Sequence, residues 1–216
     1  MKNVQLIKIG TIIFTSSLLL AGCGGGDSTT LNETSNELSR VEIDGLLFMR
    51  EEEELARDLY LDIYDAKDGR LNTFKNISDN AETKHAEAIR VLLEKYGIED
   101  PSTGSRNTYT DSELQELYDN LINIAVGSDD LGALRVGAWV EETDIRDINT
   151  IKAQVSSAHQ EIIDTYDNLL CGSRNHLRAF VKQIEKKTND AYVTQVPELD
   201  SIVQDILSSE QEKCGK

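Results

Sequence analysis

Residues 131–148 read LGALRVGAWVEETDIRDI, and this stretch decides the fold class. Its apolar residues recur at steps of three and four, the spacing of one face of an α-helix. The positions on that face are Leu131, Leu134, Ala138, Glu141, Ile145 and Ile148. Glu141 interrupts an otherwise apolar row, and a lone carboxylate is costly to bury. The alternative is a helix rotated so that Glu141 and nearby Asp144 meet solvent.

Two other predicted helices carry an imidazole at a core position. His85 shares a face with apolar residues, and Glu82 precedes it by one turn. Glu-x-x-His places a carboxylate and an imidazole side by side on a helix, which suits one metal ion. In the last long helix, Ser173, His176 and Phe180 follow one apolar row. A core histidine bonded to a carbonyl is the alternative, but two of the chain's three histidines occupy such positions.

The first predicted helix contains four consecutive glutamates at residues 51–54. A charge run usually marks a solvated face, and Glu51 and Glu54 are expected to face solvent. Apolar stripes pass through both Glu52 and Glu53, so either acid can face the core. Four helices that send acids or imidazoles toward one axis match the core of di-iron or di-manganese bundles, where cations offset the buried charge.

The whole pattern predicts an all-α protein, because the chain has two prolines and almost no alternating stretch. We expect helices near residues 40–66, 72–96, 111–126, 128–148 and 155–187, with a short one after Pro197. The third of these is a short extra helix between bundle helices two and three. The predicted bundle covers residues 39–188, and residues 189–216 form a C-terminal extension with a short helix.

The first 22 residues predict a secretory signal. Lys2 and Lys8 precede an uncharged apolar run that ends in LAGC at residues 20–23. This ending resembles a bacterial lipobox, which implies lipidation of Cys23 and a membrane anchor. Gly24 follows in place of the aspartate associated with inner-membrane retention, so the outer membrane is expected in a two-membrane bacterium. A cysteine ending a membrane helix is the alternative, but the run is short for a bilayer span.

The next segment, residues 23–38, contains the expected lipidated cysteine and a tether rich in Gly, Ser, Thr and Asn. The chain carries 39 acids and 22 bases, a net charge of -17, which becomes -19 once Lys2 and Lys8 are removed. Such a surface repels a polyanion, and no basic stripe is present, so nucleic acid is not an expected partner. No Gly-x-Ser-x-Gly or phosphate-loop motif indicates a hydrolase or nucleotide site.

Two cysteines remain after Cys23, at positions 171 and 214. An exported domain meets an oxidising environment, which favours a Cys171–Cys214 disulfide that staples the C-terminal helix to the bundle. Two free thiols are the alternative. The spacing of Cys171 and Cys214 excludes a Cys-x-x-Cys redox motif and a zinc knuckle.

Several segments resemble the rubrerythrin branch of the ferritin-like superfamily. They are Glu53-x-x-Ala56-Arg57-x-x-Tyr60, Glu82-x-x-His85-Ala86 and Glu141-x-x-Asp144. Residues 49–58, 93–101, 141–145 and 172–180 are similar, more specifically, to an uncharacterised prokaryotic ferritin-like family, domain of unknown function 2202. The resemblance covers about residues 40–187. It implies a ferritin-like four-helix bundle and favours Glu53 over Glu52 as the ligand from helix one.

The resemblance also implies a metal site that holds one or two iron ions, with manganese as the alternative. Its ligands would be Glu53, Glu82, His85, Glu141, Asp144 and His176. The branch usually carries Glu three residues before the histidine of helix four, where this chain has Ser173. Asp144 is the expected replacement, and its shorter side chain predicts one weaker metal position. Glu141 is the expected bridging ligand and Glu53 a terminal one.

Metal ligands are themselves usually hydrogen-bonded. The residues expected in that supporting role are Tyr60, Arg57, Ser173, Asn175 and Arg178, with surface roles as the alternative for both arginines. The expected function is an envelope lipoprotein that performs redox chemistry on oxygen, peroxide or ferrous ion, with an unknown electron donor and a possible homodimeric state. A non-catalytic metal-binding lipoprotein and a metal-free helical envelope adaptor are the alternatives.

Overall fold

The structure is a computed structural model that describes residues 37–215; the predicted signal peptide, Cys23 and most of the tether lie outside the described residues. Seven α-helices occur in this part of the chain: α1 (Arg40–Ala66), α2 (Asn72–Ile77), α3 (Thr83–Lys95), α4 (Ser112–Gly127), α5 (Asp130–Lys152), α6 (Gln160–Thr188) and α7 (Asp200–Ser208). No strand is found between residues 37 and 215, so the predicted all-α class is confirmed.

Four long helical segments form the bundle. Helix α5 packs along α6 and α1 along α3, while α1 also contacts α5 and α3 contacts α6. At its centre the rings of Tyr60, Phe74 and Phe180 lie with centroids 4.9 to 5.5 Å apart in tilted or edge-on contacts. These three side chains are fully buried. Such burial is the main source of stability in a helical bundle.

The long helices begin where capping side chains are available. The predicted span of the first helix agrees with α1, whose N-cap is Ser39. Helix α5 begins at Asp130 because Asp129 accepts a hydrogen bond from the Gly132 amide, and it continues beyond the predicted end at residue 148. Helix α6 begins at Gln160, five residues after the predicted start, because residues 153–159 form turns.

The predicted second helix is interrupted by a π-helical turn, Ser78–Glu82, between α2 and α3. The Thr83 amide bonds to the Ser78 carbonyl, and the Thr83 hydroxyl also donates to that oxygen at 3.0 Å. A π turn has i to i+5 bonds, so residues beyond it are rotated relative to an uninterrupted α-helix. As a result Glu82 is buried, whereas Ala81, expected on the apolar row, is only half-buried.

The prediction that Glu51 and Glu54 face solvent is wrong, since both are buried. The loop before α4 packs over this side of α1, and Glu51 accepts hydrogen bonds from the amides of Thr110 and Asp111. The Glu54 carboxylate pairs with Arg50 at 3.0 Å. A contact with a distant loop is not visible in helix periodicity, which explains the error.

The C-terminal segment is attached to the outer side of α6. Cys171 and Cys214 form a disulfide. Arg174 donates to the Glu212 carboxylate at 2.7 and 2.5 Å, and Asn175 donates to the Glu212 carbonyl at 3.0 Å. Among the described residues, no helix combines the length and apolar character needed to cross a bilayer.

Glu42, in the first turn of α1, joins that helix to the turn before α6. Ser39 donates to it through both its amide and its hydroxyl, each at 2.7 Å. The other carboxylate oxygen accepts from the Ser156 amide at 2.9 Å and lies 2.7 Å from His159 Nδ1. Burial alone would raise the pKa of Glu42, but the hydrogen bonds from Ser39, His159 and Ser156 lower it from 4.5 to about 2.

Glu42→Gln is expected to lower the free energy of unfolding near neutral pH by about 3 kcal/mol, the equivalent of moving this pKa from 4.5 to about 2. Because the folded-state pKa is the lower one, the stabilisation is present above pH 4.5 and is lost as the pH falls toward 2. Urea unfolding should therefore show a steeper acid loss in the wild type than in Glu42→Gln. Exposed Glu116→Gln is the control, and equal acid slopes in all three proteins would contradict the assignment.

Candidate metal centre

Five side chains from different elements of the bundle converge in its interior. They form two groups that each contain two carboxylates and one imidazole, with the ligand atoms of a group within 4.8 Å of one another. One group is Glu53, Glu82 and His85; the other is Glu82, Glu141 and His176. Glu82 belongs to both groups, so the two halves of the site share one carboxylate.

The two oxygens of Glu82 face different histidines. Its Oε2 lies 3.0 Å from His85 Nδ1, and its Oε1 lies 2.9 Å from His176 Nδ1. A second carboxylate also lies near each nitrogen: Glu53 Oε2 is 3.2 Å from His85 Nδ1, and Glu141 Oε2 is 3.5 Å from His176 Nδ1. The imidazole rings are roughly parallel, with centroids 5.6 Å apart. This is the arrangement of a bridging carboxylate with a terminal carboxylate and an imidazole on either side.

The donor atoms fit a metal ion. Bonds of about 2.0 to 2.2 Å from nitrogen and oxygen to a metal place neighbouring ligand atoms about 3 Å apart, close to the separations seen here. Glu53 Oε1 is buried and makes no hydrogen bond within the described part of the chain. Buried polar atoms normally have partners, so this oxygen is available to bind a cation. Carboxylate and imidazole donors together suit iron or manganese.

Burial and the charges of neighbouring side chains favour protonation of Glu53 and His176. Burial raises the pKa of Glu53 to about 8, although His85 opposes the shift. Burial alone would lower the pKa of His176, but Glu82 and Glu141 raise it to about 10. Burial alone would raise the pKa of Glu82, whereas His176 and His85 hold it well below its usual value. A metal entering this cluster must displace protons from its ligands.

Tyr60 fixes the position of Glu141. Its hydroxyl donates to Glu141 Oε1 at 2.6 Å and lies 3.4 Å from the Gly137 carbonyl. The ring is fully buried, and Gly137 leaves room for the adjoining Phe180 ring, because a Cβ there would lie 2.5 Å from it. A rigid aromatic therefore orients one of the two terminal carboxylates.

Two expectations about the ligands differ from the geometry. Glu82, and not Glu141, is the carboxylate shared by both groups, because the π turn places it between the two histidines. Asp144 belongs to neither group. It is buried beside them, and burial together with the charges of Glu53 and Glu141 raises its pKa well above the usual value. Ser173 lies next to Asp144 and donates to the Leu169 carbonyl at 2.9 Å.

Three residues expected to support the ligands lie elsewhere. The guanidinium of Arg57 pairs with Asp58 at 2.8 Å and with Glu54 at 3.4 Å. Asn175 and Arg178 face the outer side of α6, where they bind the C-terminal segment, including the Ile206 carbonyl. Each lies one or two residues from His176 in sequence, but the helical rotation of 100° per residue turns it away from the core.

Glu142, which is fully buried next to Glu141, has a structural role that was not predicted from the sequence. Its carboxylate accepts hydrogen bonds from the Tyr192 hydroxyl at 2.7 Å and from the amides of Gln195 and Val196. Burial raises its pKa to about 7, although these hydrogen bonds oppose the shift. Glu142 anchors the segment after α6, and the only sequence signal was a second acid beside a core acid.

A family model described as an uncharacterized protein domain, DUF2202, matches residues 42–210. The uncharacterized protein MJ0754 of Methanocaldococcus jannaschii is 41% identical over 148 residues, which cover 68% of this chain and 77% of that protein. A crystal structure of hypothetical protein MJ0754 from Methanococcus jannaschii DSM 2661 is similar with a TM-score of 0.74 and 38% identity, covering 81% of this chain and 96% of that one. These comparisons support the fold.

Gly172 on α6 provides the space occupied by the His85 ring. A Cβ at this position would lie 2.5 Å from both Cε1 and Nε2 of His85, and 3.6 Å from Cε1 of His176. The histidine side chains are 13% and 12% exposed, whereas the three glutamates of the site are at most 3% exposed. The two histidines are therefore the most exposed of the five side chains.

Gly172→Ala is expected to push the His85 ring away from Glu53 and Glu82. Alanine favours a helix by about 1 kcal/mol over glycine, so any net loss of stability reports the displaced ring; overpacking of this kind costs about 1 to 3 kcal/mol. Thermal unfolding and imidazole ¹H–¹⁵N NMR of the metal-free protein measure the two effects. Gly127→Ala, where a Cβ meets nothing within 4 Å, is the control. Unchanged His85 signals in Gly172→Ala would contradict the packing argument.

Proposed function

We propose that this chain, which belongs to the DUF2202 family, holds two iron ions joined by a shared carboxylate. The proposed centre performs redox chemistry on oxygen or peroxide. The observation that carries this proposal is the placement of Glu82, whose two oxygens face the Nδ1 atoms of His85 and His176. Inward-facing carboxylates and Glu-x-x-His pairs are the ligands of ferritin-like di-iron and di-manganese bundles.

The residues divide between two metal positions. Glu53 and His85 would hold one ion, Glu141 and His176 the other, and Glu82 would bind both. Three protein ligands at each ion leave open positions for water or a small oxidant. Iron supplies the electron transfer when it is bound, while the protein supplies geometry and a nearly dry surrounding.

The charge around the site supports two divalent ions. The three glutamates carry three negative charges and the two imidazoles are neutral, whereas two divalent cations carry four positive charges. Asp144, buried beside the two groups, supplies a fourth carboxylate. Buried charges are tolerated when they are paired or coordinate metals, so this balance favours full occupancy.

Tyr60 and Gly172 set the geometry that a reaction would need. The Tyr60 hydroxyl keeps Glu141 in one orientation through its 2.6 Å hydrogen bond. Gly172 leaves room for the His85 ring. The two histidines are the most exposed side chains of the site, so we propose that a small oxidant approaches on their side. Manganese is the alternative metal because it accepts the same donors.

A non-catalytic metal-binding protein is the second candidate. The net charge of -17 draws cations toward the molecule whether or not they react there. A metal-free adaptor is less well supported, because it leaves the buried Glu53 Oε1 without a partner among the described residues.

We also propose that the protein works at the cell envelope, attached to a membrane through lipidated Cys23, with the outer membrane as its place in a two-membrane bacterium. The LAGC ending at residues 20–23 supports this placement. The Cys171–Cys214 disulfide is what an oxidising compartment favours. We also propose that an electron donor of unknown identity serves the protein and that the protein forms a homodimer.

Iron binding to the full chain tests the centre. Anaerobic titration with Fe²⁺ is expected to load about two ions per wild-type chain, about one in Glu53→Gln, and none at the same concentrations in Glu82→Gln, because Glu82 is shared. Exposed Glu116→Gln is the matched control and should bind like the wild type. If the wild type and Glu82→Gln bind the same number of Fe²⁺ ions, the assignment of Glu82 as a shared metal ligand is contradicted.

Addition of peroxide to the loaded protein then separates catalyst from binder. An enzyme should oxidise its iron and consume peroxide over repeated cycles when a reductant is supplied, and Glu82→Gln should remain at background. If the wild type binds iron but turns over peroxide or oxygen no faster than Glu82→Gln does, the non-catalytic metal-binding function is favoured. Absorbance of the ferric protein and a peroxide assay provide the two measurements.

A further inference from the structure

The π turn Ser78–Glu82 joins two residues that both face the core. Ile77, just before it, is 7% exposed, and Glu82, at its end, is 3% exposed. In an uninterrupted α-helix, two residues five positions apart lie about 140° apart around the axis, because each step turns about 100°. The i to i+5 hydrogen bond of a π turn brings such residues back to one face. The register of this turn therefore decides whether Glu82 can reach the two histidines.

The Thr83 hydroxyl makes a hydrogen bond that belongs to the π register. It donates at 3.0 Å to the Ser78 carbonyl, five residues back, and the Thr83 amide bonds to the same oxygen. In the regular helices α5 and α6, threonine hydroxyls donate at 2.7 to 3.1 Å to the carbonyl four residues back. These threonines are Thr143, Thr150, Thr165 and Thr188. Hydroxyls in an α-helix bond three or four residues back, so the α register does not offer the bond that Thr83 makes.

Ser78 ties the same turn to α1. Its side chain is fully buried, and its hydroxyl donates to the Arg57 carbonyl at 2.9 Å. Arg57 lies about one turn beyond Glu53, the proposed ligand that α1 contributes. The start of the π turn is thus attached to the helix that carries Glu53, while the Thr83 hydroxyl closes its end. Two hydroxyls therefore hold the turn from both sides.

We propose that Ser78 and Thr83 are positioning residues whose hydroxyls lock the π register and so place Glu82 between the two histidines. The proposal rests on the proposed dinuclear centre only for its effect on metal binding. An α register would leave Ile77 and Glu82 about 140° apart, so the two could not both face the core, and Glu82 would lose its place between the imidazoles. Removal of a group that orients a metal ligand lowers metal affinity about 10- to 100-fold.

The first measurement is made on the metal-free full chain. Ser78→Ala and Thr83→Val each remove one hydroxyl, and both are expected to shift the imidazole ¹H–¹⁵N NMR signals of the two histidines. The reason is that these rings have nitrogens 2.9 and 3.0 Å from the Glu82 carboxylate. Thr83→Ser keeps the hydroxyl and should keep the wild-type signals. Thr150→Val removes a hydroxyl from the regular helix α5 and is the matched control.

The second measurement is the affinity for Mn²⁺, followed by electron paramagnetic resonance. Ser78→Ala and Thr83→Val are expected to bind Mn²⁺ about tenfold more weakly than the wild type, the lower end of the range for loss of an orienting group. Thr83→Ser and Thr150→Val should stay within about twofold of the wild type. Thermal unfolding checks that each variant is folded. Because Ser78 is fully buried, Thr83→Val at an exposed position decides the result if Ser78→Ala does not fold.

The outcomes separate the role of the hydroxyls from the metal centre. Wild-type imidazole signals or wild-type Mn²⁺ affinity in either folded variant, Ser78→Ala or Thr83→Val, would overturn the proposal while leaving the centre intact. Equal changes in Thr83→Ser or Thr150→Val would also overturn it, because the π-turn hydroxyls would then not be the cause. If the imidazole signals shift as expected but the wild type binds neither Mn²⁺ nor Fe²⁺, the hydroxyls hold the register and the proposed metal centre is contradicted instead.

Discussion

Mutual repulsion among buried carboxylates is the constraint around which this bundle is organised. Glu53, Glu82 and Glu141 lie inside it with almost no contact with water. Their charges can remain there only with positive partners, and the two histidines offer a single positive charge each when protonated. A pair of divalent cations would satisfy the same oxygen and nitrogen atoms more completely, which is the physical basis of the proposed metal centre.

The surrounding packing serves to hold these groups in place. The π turn brings Glu82 between the histidines, and Gly172 leaves room for the His85 ring. Tyr60 is held among aromatic rings and in turn holds Glu141. Hydrophobic burial stabilises the helices on either side of this polar layer, so the fold does not depend on the layer alone.

The all-α class, the long helices and the inward position of Glu141, His85 and His176 could be predicted from sequence, because all depend on local periodicity. The burial of Glu51 could not, because a distant loop supplies its hydrogen bonds. Nor could the shared role of Glu82 be predicted, since a π turn leaves little trace in residue spacing. Likewise, the charge of Arg178 suits a position beside the buried carboxylates or on the outer side of α6. Its contact is decided by the position of the C-terminal segment, which the sequence does not reveal.

The contacts of Glu42 and Cys171 have a mechanical consequence. A chain anchored through its N-terminal side takes tension at Ser39, where Glu42 joins the start of α1 to the turn that precedes α6. Cys214 returns the other end of the described chain to the middle of the same helix. In the proposed membrane-anchored state, force that arrives at Ser39 would be shared between α1 and the entry to α6 before it reached the polar layer.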